Sequence, residues 1–309
     1  MKIYINLNHF VFSSELIILI GLLDKYPNET NHKNKSNISR FFPSLKWCKE
    51  NIQYIDNIIN SDICILPYKF KNCDDKYYKQ LLNECVNYNK KLLCFYDDDD
   101  DTIFNLSDNV LLYRTSFYKT KKLKNEKALP VFSADYFNTE YLKNPELSIG
   151  FCGHSNCGRL YWQDILKNKH DDIKCNFILR NDFFWESDLN KKLSITEFYN
   201  NIKNNLFIFC YRGYGNYSYR FYQILMMGRI PILINTDCVF PFENKYKLKD
   251  LGVVINEKDL IDGKFDLITE IINYYKNTDL LKVQKQNRII WEKYFSPVGF
   301  CKNLVEEFI

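Results

Sequence analysis

The chain alternates short apolar runs, rich in β-branched and aromatic residues, with longer segments of helical periodicity, and this feature constrains its fold most. Such alternation is typical of parallel sheets, because two parallel strands need a crossover connection that is usually a helix. A loose stretch over residues 128–145 separates two series of runs. The sequence therefore predicts two α/β domains, residues 1–145 and 146–309. The runs are KIYINL, DICILPY, KLLCFY and NVLLYR in the first series and LSIGFCG, CNFILR, LFIFCY and RIPILI in the second.

Two further helical patterns lie near the ends of the chain. The segment SSELIILIGLLDKY follows the first strand, and residues 280–309 read as helical with a break at Pro297. A terminal helix of a two-domain enzyme often braces one domain against the other. We therefore expect the last helix to pack back on the first domain.

The charge of the chain is nearly balanced, with 42 basic and 38 acidic residues and a formal net charge of +4. A protein that binds duplex nucleic acid usually carries a basic face and a strongly positive net charge. The balance therefore predicts no nucleic-acid partner.

Cysteine usage and hydropathy indicate the compartment. Eleven cysteines are present, and many lie inside apolar runs, as Cys64, Cys94 and Cys210 do. An odd number of such cysteines is typical of reduced thiols in the cytosol. The apolar stretch 16–23 is too short to span a bilayer, so the sequence predicts no signal peptide and no transmembrane anchor. We expect a cytoplasmic protein, with peripheral attachment to a membrane left open.

The most informative segment is LFIFCYRGYGNYSYRFYQILMMGRIPILINTD, which reads as a buried strand, a loop, a helix and a second buried strand. Gly213 and Gly215 in the loop permit tight backbone conformations and close approach of a ligand, while Asn216 or Ser218 can cap the helix. The free N–H groups and the dipole at a helix start favour an anion such as a phosphate.

Two arginines, Arg212 and Arg220, bracket that helix start, and a guanidinium group suits bidentate contacts to phosphate. Ordinary surface arginines beside a glycine turn would give the same spacing, so the spacing alone leaves both interpretations open. The loop lacks the G-x-G-x-x-G pattern and gives no specific support to a dehydrogenase.

The run RGYGNYSYRFYQILMMGRIPILINTDCVFPF resembles the signature of the exostosin-like glycosyltransferases, a family with bacterial and large-virus members. The resemblance implies a GT-B fold, in which two Rossmann-like α/β domains face a cleft. It implies that residues 1–145 bind the acceptor and residues 146–309 bind a nucleotide-sugar donor; a viral member would act in the host cytoplasm. Weaker similarities lie in SIGFCGH at 148–154, NFILRNDFF at 176–184, the RTS of residues 114–116 and EKALP at 126–130.

The resemblance also implies a donor site. Arg212 and Arg220 would contact the donor diphosphate. Gln223 stands where the family commonly has a glutamate that holds the ribose hydroxyls, and an amide still forms hydrogen bonds but lacks the charge of a carboxylate. The other positions that would line the donor are Gly153, Arg180, Gly213, Gly215, Asn216, Ser218, Asn235, Thr236 and Asp237.

The catalytic base would come from the first domain. Asp97 and Asp98 directly follow the strand KLLCFY, and α/β sheets present catalytic groups at the carboxyl ends of their strands. His9 follows the first strand, where some inverting GT-B enzymes that resemble this chain place their base. The implied reaction is a single displacement with inversion, from a nucleotide sugar to a glycan, lipid-linked or protein-linked acceptor, and it requires no metal or other cofactor.

Three other interpretations stay open. The acidic run 97–101 contains the Asp-x-Asp pattern of manganese-dependent GT-A transferases, whose carboxylates hold a divalent ion on the donor diphosphate. The same run is consistent with a solvated acidic loop. A non-catalytic protein that binds nucleotide sugars or glycans would keep the donor loop without a base.

Overall fold

The computed structural model describes residues 1–11, 18, 39–137, 140–154, 158–168, 173–180 and 188–308, with residues 188–191 described by their backbone alone. The helix expected over residues 13–26 lies outside these ranges apart from residue 18, as do residues 181–184 of the segment NFILRNDFF. The chain divides into two compact units. The first comprises residues 1–134, 239–241 and 293–309, and the second comprises residues 135–238 and 242–292.

The first unit contains a six-stranded sheet whose neighbouring strands are all parallel. Its strands are β1 (Lys2–Tyr4), β2 (Gln53–Ile55), β3 (Ile63–Ile65), β4 (Leu92–Tyr96), β5 (Val110–Arg114) and β6 (Glu126–Ala128). The order across the sheet is β2–β1–β3–β4–β5–β6. The inner strands β3 and β4 are buried along their whole length, which explains why their sequences are continuous apolar runs rather than alternating ones.

The second unit contains a five-stranded sheet, again with parallel neighbours only. Its strands are β7 (Ser148–His154), β8 (Lys174–Arg180), β9 (Phe207–Cys210), β10 (Ile230–Asn235) and β11 (Val253–Asn256). The order across the sheet is β11–β10–β9–β7–β8.

Both sheets reverse their strand order beside the strand that comes first in the chain. β1 lies between β2 and β3, and β7 lies between β8 and β9. Open α/β sheets bind ligands at the carboxyl ends of the strands beside such a reversal. Two parallel sheets with this Rossmann-like order fit a two-domain GT-B fold and confirm the predicted fold class.

The helices connect these strands, and several begin at an aspartate that caps them. Asp75, Asp266 and Asp279 each accept a hydrogen bond from the backbone N–H three residues later. The α-helices are α1 (Phe42–Asn51), α2 (Lys76–Asn87), α3 (Arg159–Asn168), α4 (Asp188–Asn204), α5 (Tyr219–Met226), α6 (Glu257–Ile261), α7 (Leu267–Asn277), α8 (Leu280–Ile290) and α9 (Pro297–Glu306).

The division between the units falls after residue 134 rather than at residue 145. Residues 135–145 belong to the second unit because their polar groups bind α8. Arg288 Nη1 and Nη2 contact the Asp135 carboxylate at 2.8 and 2.6 Å, and the Gln284 side chain bonds to both backbone groups of Leu142. The last helix, α9, belongs to the first unit.

Candidate functional site

The carboxyl ends of β7 and β9 form the reversal point of the second sheet. The two strands pair at Ile149 with Phe207 and at Gly150 with Ile208. Helix α4 packs closely on β7 at Gly150. A Cβ added to this glycine would lie only 2.7 Å from the side chains of Asn201 and Asn205, so there is no room for a larger residue. The loop after β9 leads directly into α5, so the glycine loop predicted from the sequence lies at this reversal point.

Arg220, in the first turn of α5, is 8% exposed. Its guanidinium carbon lies 4.0 Å from the centroid of the Phe151 ring and 5.6 Å from that of Phe198. Nη2 donates to Cys152 O at 2.7 Å, whereas the buried Nε has no hydrogen-bond partner among the described residues. The sequence allowed a surface arginine here, and the structure instead buries a cation whose Nε has no acceptor among the described residues.

The pKa of Arg220 also reflects the burial of its charge. Burial, followed by the charge of nearby Arg159, lowers the pKa of Arg220 to about 9, so the group is still protonated at neutral pH. In the part of the chain that the structure describes, no carboxylate forms an ion pair with it. A buried charge without a partner is destabilising, and an unsatisfied buried donor costs roughly 1–3 kcal/mol. An anion bound here would supply both the charge and the acceptors.

Gly153, near the end of β7, makes room for this guanidinium. Its φ of +149° is one that L side chains rarely adopt, and an added Cβ would lie 2.7 Å from Arg220 Nη2. By contrast, Gly213 and Gly215 have no positive φ, and a Cβ at Gly213 would meet only Arg159, at 3.6 Å. The conformational need for glycine is therefore at Gly153.

Ser218 is the N-cap residue of α5, but its side chain makes no capping hydrogen bond. Its Oγ instead lies 2.9 Å from the Cys210 thiol, which donates to it. The Asn216 side chain is turned towards the segment after β10, where it contacts Thr236 and Asp237. Of the two caps that the sequence allowed, the one from Ser218 is therefore not formed, and the first-turn N–H groups lack that acceptor.

Asn216 is 1% exposed and ties the loop to the turn after β10. Its Oδ1 accepts from Thr236 Oγ1 at 2.7 Å, and its Nδ2 donates to Asp237 O at 3.3 Å. Asp237 has a φ of +64°, in the left-handed region. Asn235 accepts from Cys238 N at 2.9 Å. The structure thus brings these predicted site residues together, and Asn216 and Asn235 hold the turn through their side chains.

Two arginines lie beside the glycine loop. Arg212 Nη2 donates to Tyr214 O at 2.7 Å, which braces the loop. Arg159, the first residue of α3, donates from Nη1 to His154 O at 2.8 Å and lies against Gly213. Sequence reasoning missed Arg159. The sequence did contain a pattern that could have identified it. Gly158 and Arg159 stand at the start of a helical segment that follows a strand, just as the glycine loop stands between β9 and α5.

Two other residues predicted to line the sugar-nucleotide donor already bond to neighbouring side chains. Arg180 lies opposite His154 on β8, donates from Nη1 to Ser194 Oγ at 2.7 Å, and forms an ion pair with Glu197. Its charge is therefore matched within the unit. Gln223 is half-buried, one turn beyond Arg220, and its Nε2 donates to the Tyr199 hydroxyl at 3.2 Å.

The first unit also gathers its predicted site residues at a carboxyl edge. Val11 N donates to Pro67 O at 2.9 Å, which joins the segments after β1 and β3. Lys69 Nζ donates to the backbone oxygen of Asp97 and lies 3.5 Å from Asp98 Oδ2, which extends the edge to β4. His9 is exposed at this edge, and its ring stacks on Tyr77 with centroids 3.7 Å apart.

The backbone of the acidic run 97–101 is held by hydrogen bonds, while residues 98–101 are exposed. Thr115 exchanges hydrogen bonds with both backbone groups of Asp98. The buried Arg114 donates to the backbone oxygens of Asp100 and Thr102, and its Nη1 forms an ion pair with Glu126 Oε1 at 2.9 Å. The Asp98 side chain itself is 47% exposed. Among the described residues, no three His, Cys, Asp or Glu side chains are grouped so as to hold a metal ion.

The chain resembles known glycosyltransferases over short segments. No family profile matches it. Over 97 residues it is 27% identical to Exostosin-1 of Drosophila melanogaster, a match that covers 31% of this chain and 12% of that protein. Over 65 residues it is 32% identical to the probable beta-1,4-xylosyltransferase IRX10L of Arabidopsis thaliana, covering 21% of this chain and 16% of the relative. These partial matches point to a glycosyltransferase.

A solved structure with a similar course of the chain is that of TarM. It is 11% identical in sequence, the match covers 81% of this chain and 52% of that one, and the TM-score is 0.36. No helix in the described part of the chain is both long and apolar enough to cross a membrane.

Proposed function

We propose that this protein is an exostosin-like glycosyltransferase that moves a sugar from a nucleotide-sugar donor to a hydroxyl acceptor, with inversion and without a metal. The observation that carries the proposal is the buried guanidinium of Arg220, with its orphaned Nε, at the start of α5. A diphosphate has the negative charge and the acceptor oxygens that the described residues do not supply to this guanidinium.

The second unit would hold the donor diphosphate through several cations. Arg220 lies at the uncapped start of α5, Arg159 is near enough to lower its pKa, and Arg212 flanks the loop. Fixed charges of this kind stabilise the negative charge that develops on a leaving group. Arg180 is a weaker candidate because Glu197 already neutralises it. The partners in this scheme are a nucleotide-sugar donor and a glycan, lipid-linked or protein-linked acceptor.

The chemical step would be a single displacement. A base of the first unit, Asp98 or Asp97 or else His9, removes the proton from the acceptor hydroxyl. The hydroxyl oxygen attacks the anomeric carbon as the bond to the diphosphate oxygen breaks, and the bonding pair leaves on the diphosphate. The diphosphate charge is then balanced by the arginines at α5, so the scheme needs no metal ion.

A pair of buried arginines in the second unit makes the proposal testable. Arg229 is 1% exposed and also pairs with no carboxylate of the described residues, but it donates to the backbone oxygens of Lys203, Met227, Gly228 and Glu140. We therefore expect Arg220→Met to leave the melting temperature unchanged or raised, because an unmatched charge is replaced by an apolar side chain. Arg229→Met should lower it, because carbonyl groups lose their donors.

The assay is calorimetric binding of pyrophosphate and of UDP-, GDP- and CMP-sugars, with and without Mn²⁺. Loss of two charged hydrogen bonds in Arg220→Met should weaken diphosphate binding by about 100-fold. Undiminished binding in Arg220→Met, or a melting temperature that falls as far as in Arg229→Met, would refute the site. Binding that depends on Mn²⁺ and survives Arg220→Met would move the donor to the acidic run 97–101. Donor binding with neither transfer nor hydrolysis would indicate a binding protein.

A further inference from the structure

A half-buried carboxylate, that of Glu257, lies at the carboxyl edge of the second sheet, where it directly follows β11. Its Oε1 accepts hydrogen bonds from the Tyr211 hydroxyl at 2.6 Å and from Trp162 Nε1 at 3.4 Å. Its Oε2 accepts no hydrogen bond from the described residues, and no lysine or arginine among them forms an ion pair with it. Two neutral donors therefore fix one oxygen, while the other remains able to accept hydrogen bonds from a ligand.

The contacts of Tyr211 place this carboxylate beside the proposed diphosphate site. Burial, and next the hydrogen bond and charge of Glu257, raise the pKa of the Tyr211 hydroxyl, whereas the charge of Arg212 opposes this rise. A Cβ added to Gly158 would lie 3.2 Å from the same hydroxyl oxygen. Gly158 directly precedes Arg159, the second arginine of that site. The Tyr211 hydroxyl thus lies close both to the carboxylate and to the segments that carry the two arginines.

The ends of β10 and β11 are joined next to Glu257. Asn235 Nδ2 donates to Asn256 Oδ1 at 3.1 Å, and Asn256 is the residue before Glu257. Because β10 separates β9 from β11, the ends of β9 and β11 are roughly 10 Å apart at the usual spacing of strands. That separation is comparable with the length of a sugar ring and its hydroxyl groups.

We infer that Glu257 binds hydroxyl groups of a ring attached to the donor diphosphate, an inference that rests on the diphosphate site proposed above. An ionised carboxylate only accepts hydrogen bonds, so the groups that it binds must be donors. Phosphate oxygens are anionic acceptors that the carboxylate would repel, whereas a neutral hydroxyl group is a matching partner. Such hydroxyl groups occur on the ribose and on the transferred sugar of a nucleotide sugar, and the choice of ligand distinguishes the two.

Replacing Glu257 by glutamine tests the inference, because an amide oxygen still accepts from Tyr211 and Trp162 while the charge is lost. Calorimetry would compare inorganic pyrophosphate, UDP and GDP, and UDP- and GDP-sugars. We expect Glu257→Gln to melt as the wild type does and to bind pyrophosphate at least as tightly, since a negative charge near the anion is removed. It should bind nucleotide sugars about tenfold less tightly, because a charged hydrogen bond is lost.

The free nucleotides show which ring is bound. A tenfold loss for UDP and GDP as well would assign the hydroxyl groups to the ribose, and a loss confined to the sugar-bearing ligands would assign them to the transferred sugar. Glu270→Gln is the matched control, since Glu270 is another half-buried glutamate of the second unit, in the first turn of α7. It should bind every ligand as the wild type does.

The remaining outcomes contradict one of the two proposals. Equal losses for pyrophosphate and nucleotide sugars in Glu257→Gln would show that the residue only shapes the site, and would overturn its role in binding hydroxyl groups. Unchanged binding of every ligand in Glu257→Gln, or a wild type that binds nucleotide sugars no more tightly than pyrophosphate, would overturn that role too. Failure of the wild type to bind pyrophosphate, or retention of binding in Arg220→Met, would instead contradict the diphosphate site itself.

Discussion

Replacing Gly153 by alanine tests whether the position of the Arg220 guanidinium matters for ligand binding without changing the arginine. The added Cβ would lie 2.7 Å from Nη2, which is 2.7 Å from Cys152 O in the native structure. Real Cβ atoms do not approach other atoms so closely, so the guanidinium must move. The movement breaks the one hydrogen bond that the group makes to a described residue.

Gly153→Ala should lower both the stability of the fold and the affinity for the ligand. A non-glycine residue at a φ of +149° costs roughly 1–3 kcal/mol of stability. Loss of a charged hydrogen bond to the ligand, worth roughly 1.5–3 kcal/mol, corresponds to at least a tenfold weaker complex. Gly263 provides a control that has the backbone cost without the steric contact. It has a φ of +70°, and nothing lies within 4 Å of an added Cβ. Gly263→Ala should therefore lower stability by about 1 kcal/mol through the backbone alone.

The assay is thermal unfolding of both variants together with calorimetric titration of pyrophosphate and UDP. Both variants should melt below the wild type, but only Gly153→Ala should lose affinity, by tenfold or more for each ligand. If Gly153→Ala bound pyrophosphate as tightly as Gly263→Ala does, the reasoning would be refuted, because a displaced guanidinium could not be the group that holds the anion.

Two further predictions concern single side chains of the second unit. Burial favours a higher pKa for Asp135, yet the hydrogen bonds and charge of Arg288 hold that pKa below its usual value. The ion pair thus stabilises the fold above pH 4 and is lost as the pH falls through the folded pKa. Asp135→Asn should therefore cost about 1 kcal/mol at pH 7, and the cost should shrink as the pH falls below the usual pKa of an aspartate, measured by denaturant unfolding; a pH-independent difference would contradict this. Gln223→Glu should tighten UDP binding about fivefold, because a charged acceptor strengthens ribose hydrogen bonds. Unchanged UDP affinity would mean that the ribose does not reach this side chain.

The sequence was sufficient for the longer elements of the fold. Apolar runs predicted β4, β5, β7 and β10, because burial on both faces makes a parallel strand apolar along its length. It missed β2, β6 and β11, which have three or four residues and, in QYI and EKA, polar members. Strands so short show no periodicity of their own, and they form because a neighbouring strand supplies hydrogen-bond partners.

Only those features of the candidate site that depend on neighbouring residues in the sequence could be predicted. Spacing alone located the glycine loop and the helix start, since these depend on neighbouring residues. It did not show that Arg220 would be enclosed, because the enclosing rings, Phe151 and Phe198, come from β7 and α4. It also assigned the need for glycine to Gly213, whereas the close contact is at Gly153, on another strand. Contacts between distant segments decide both points.

Arginines elsewhere in the described part of the chain show what a structural role looks like. Four arginines are buried in the described residues, Arg220 among them, and the other three have their charge or donors matched within the protein. Arg114 pairs with Glu126 and Arg288 with Asp135, while the carbonyl groups around Arg229 satisfy that side chain.

Among the described residues Arg220 alone of the four has neither a carboxylate partner nor several carbonyl acceptors in its place, and its Nε has no acceptor, so we propose that a ligand compensates its charge. A ligand that does so stabilises the folded protein in proportion to its occupancy. Pyrophosphate should therefore raise the melting temperature of the wild type, and this rise should vanish in Arg220→Met.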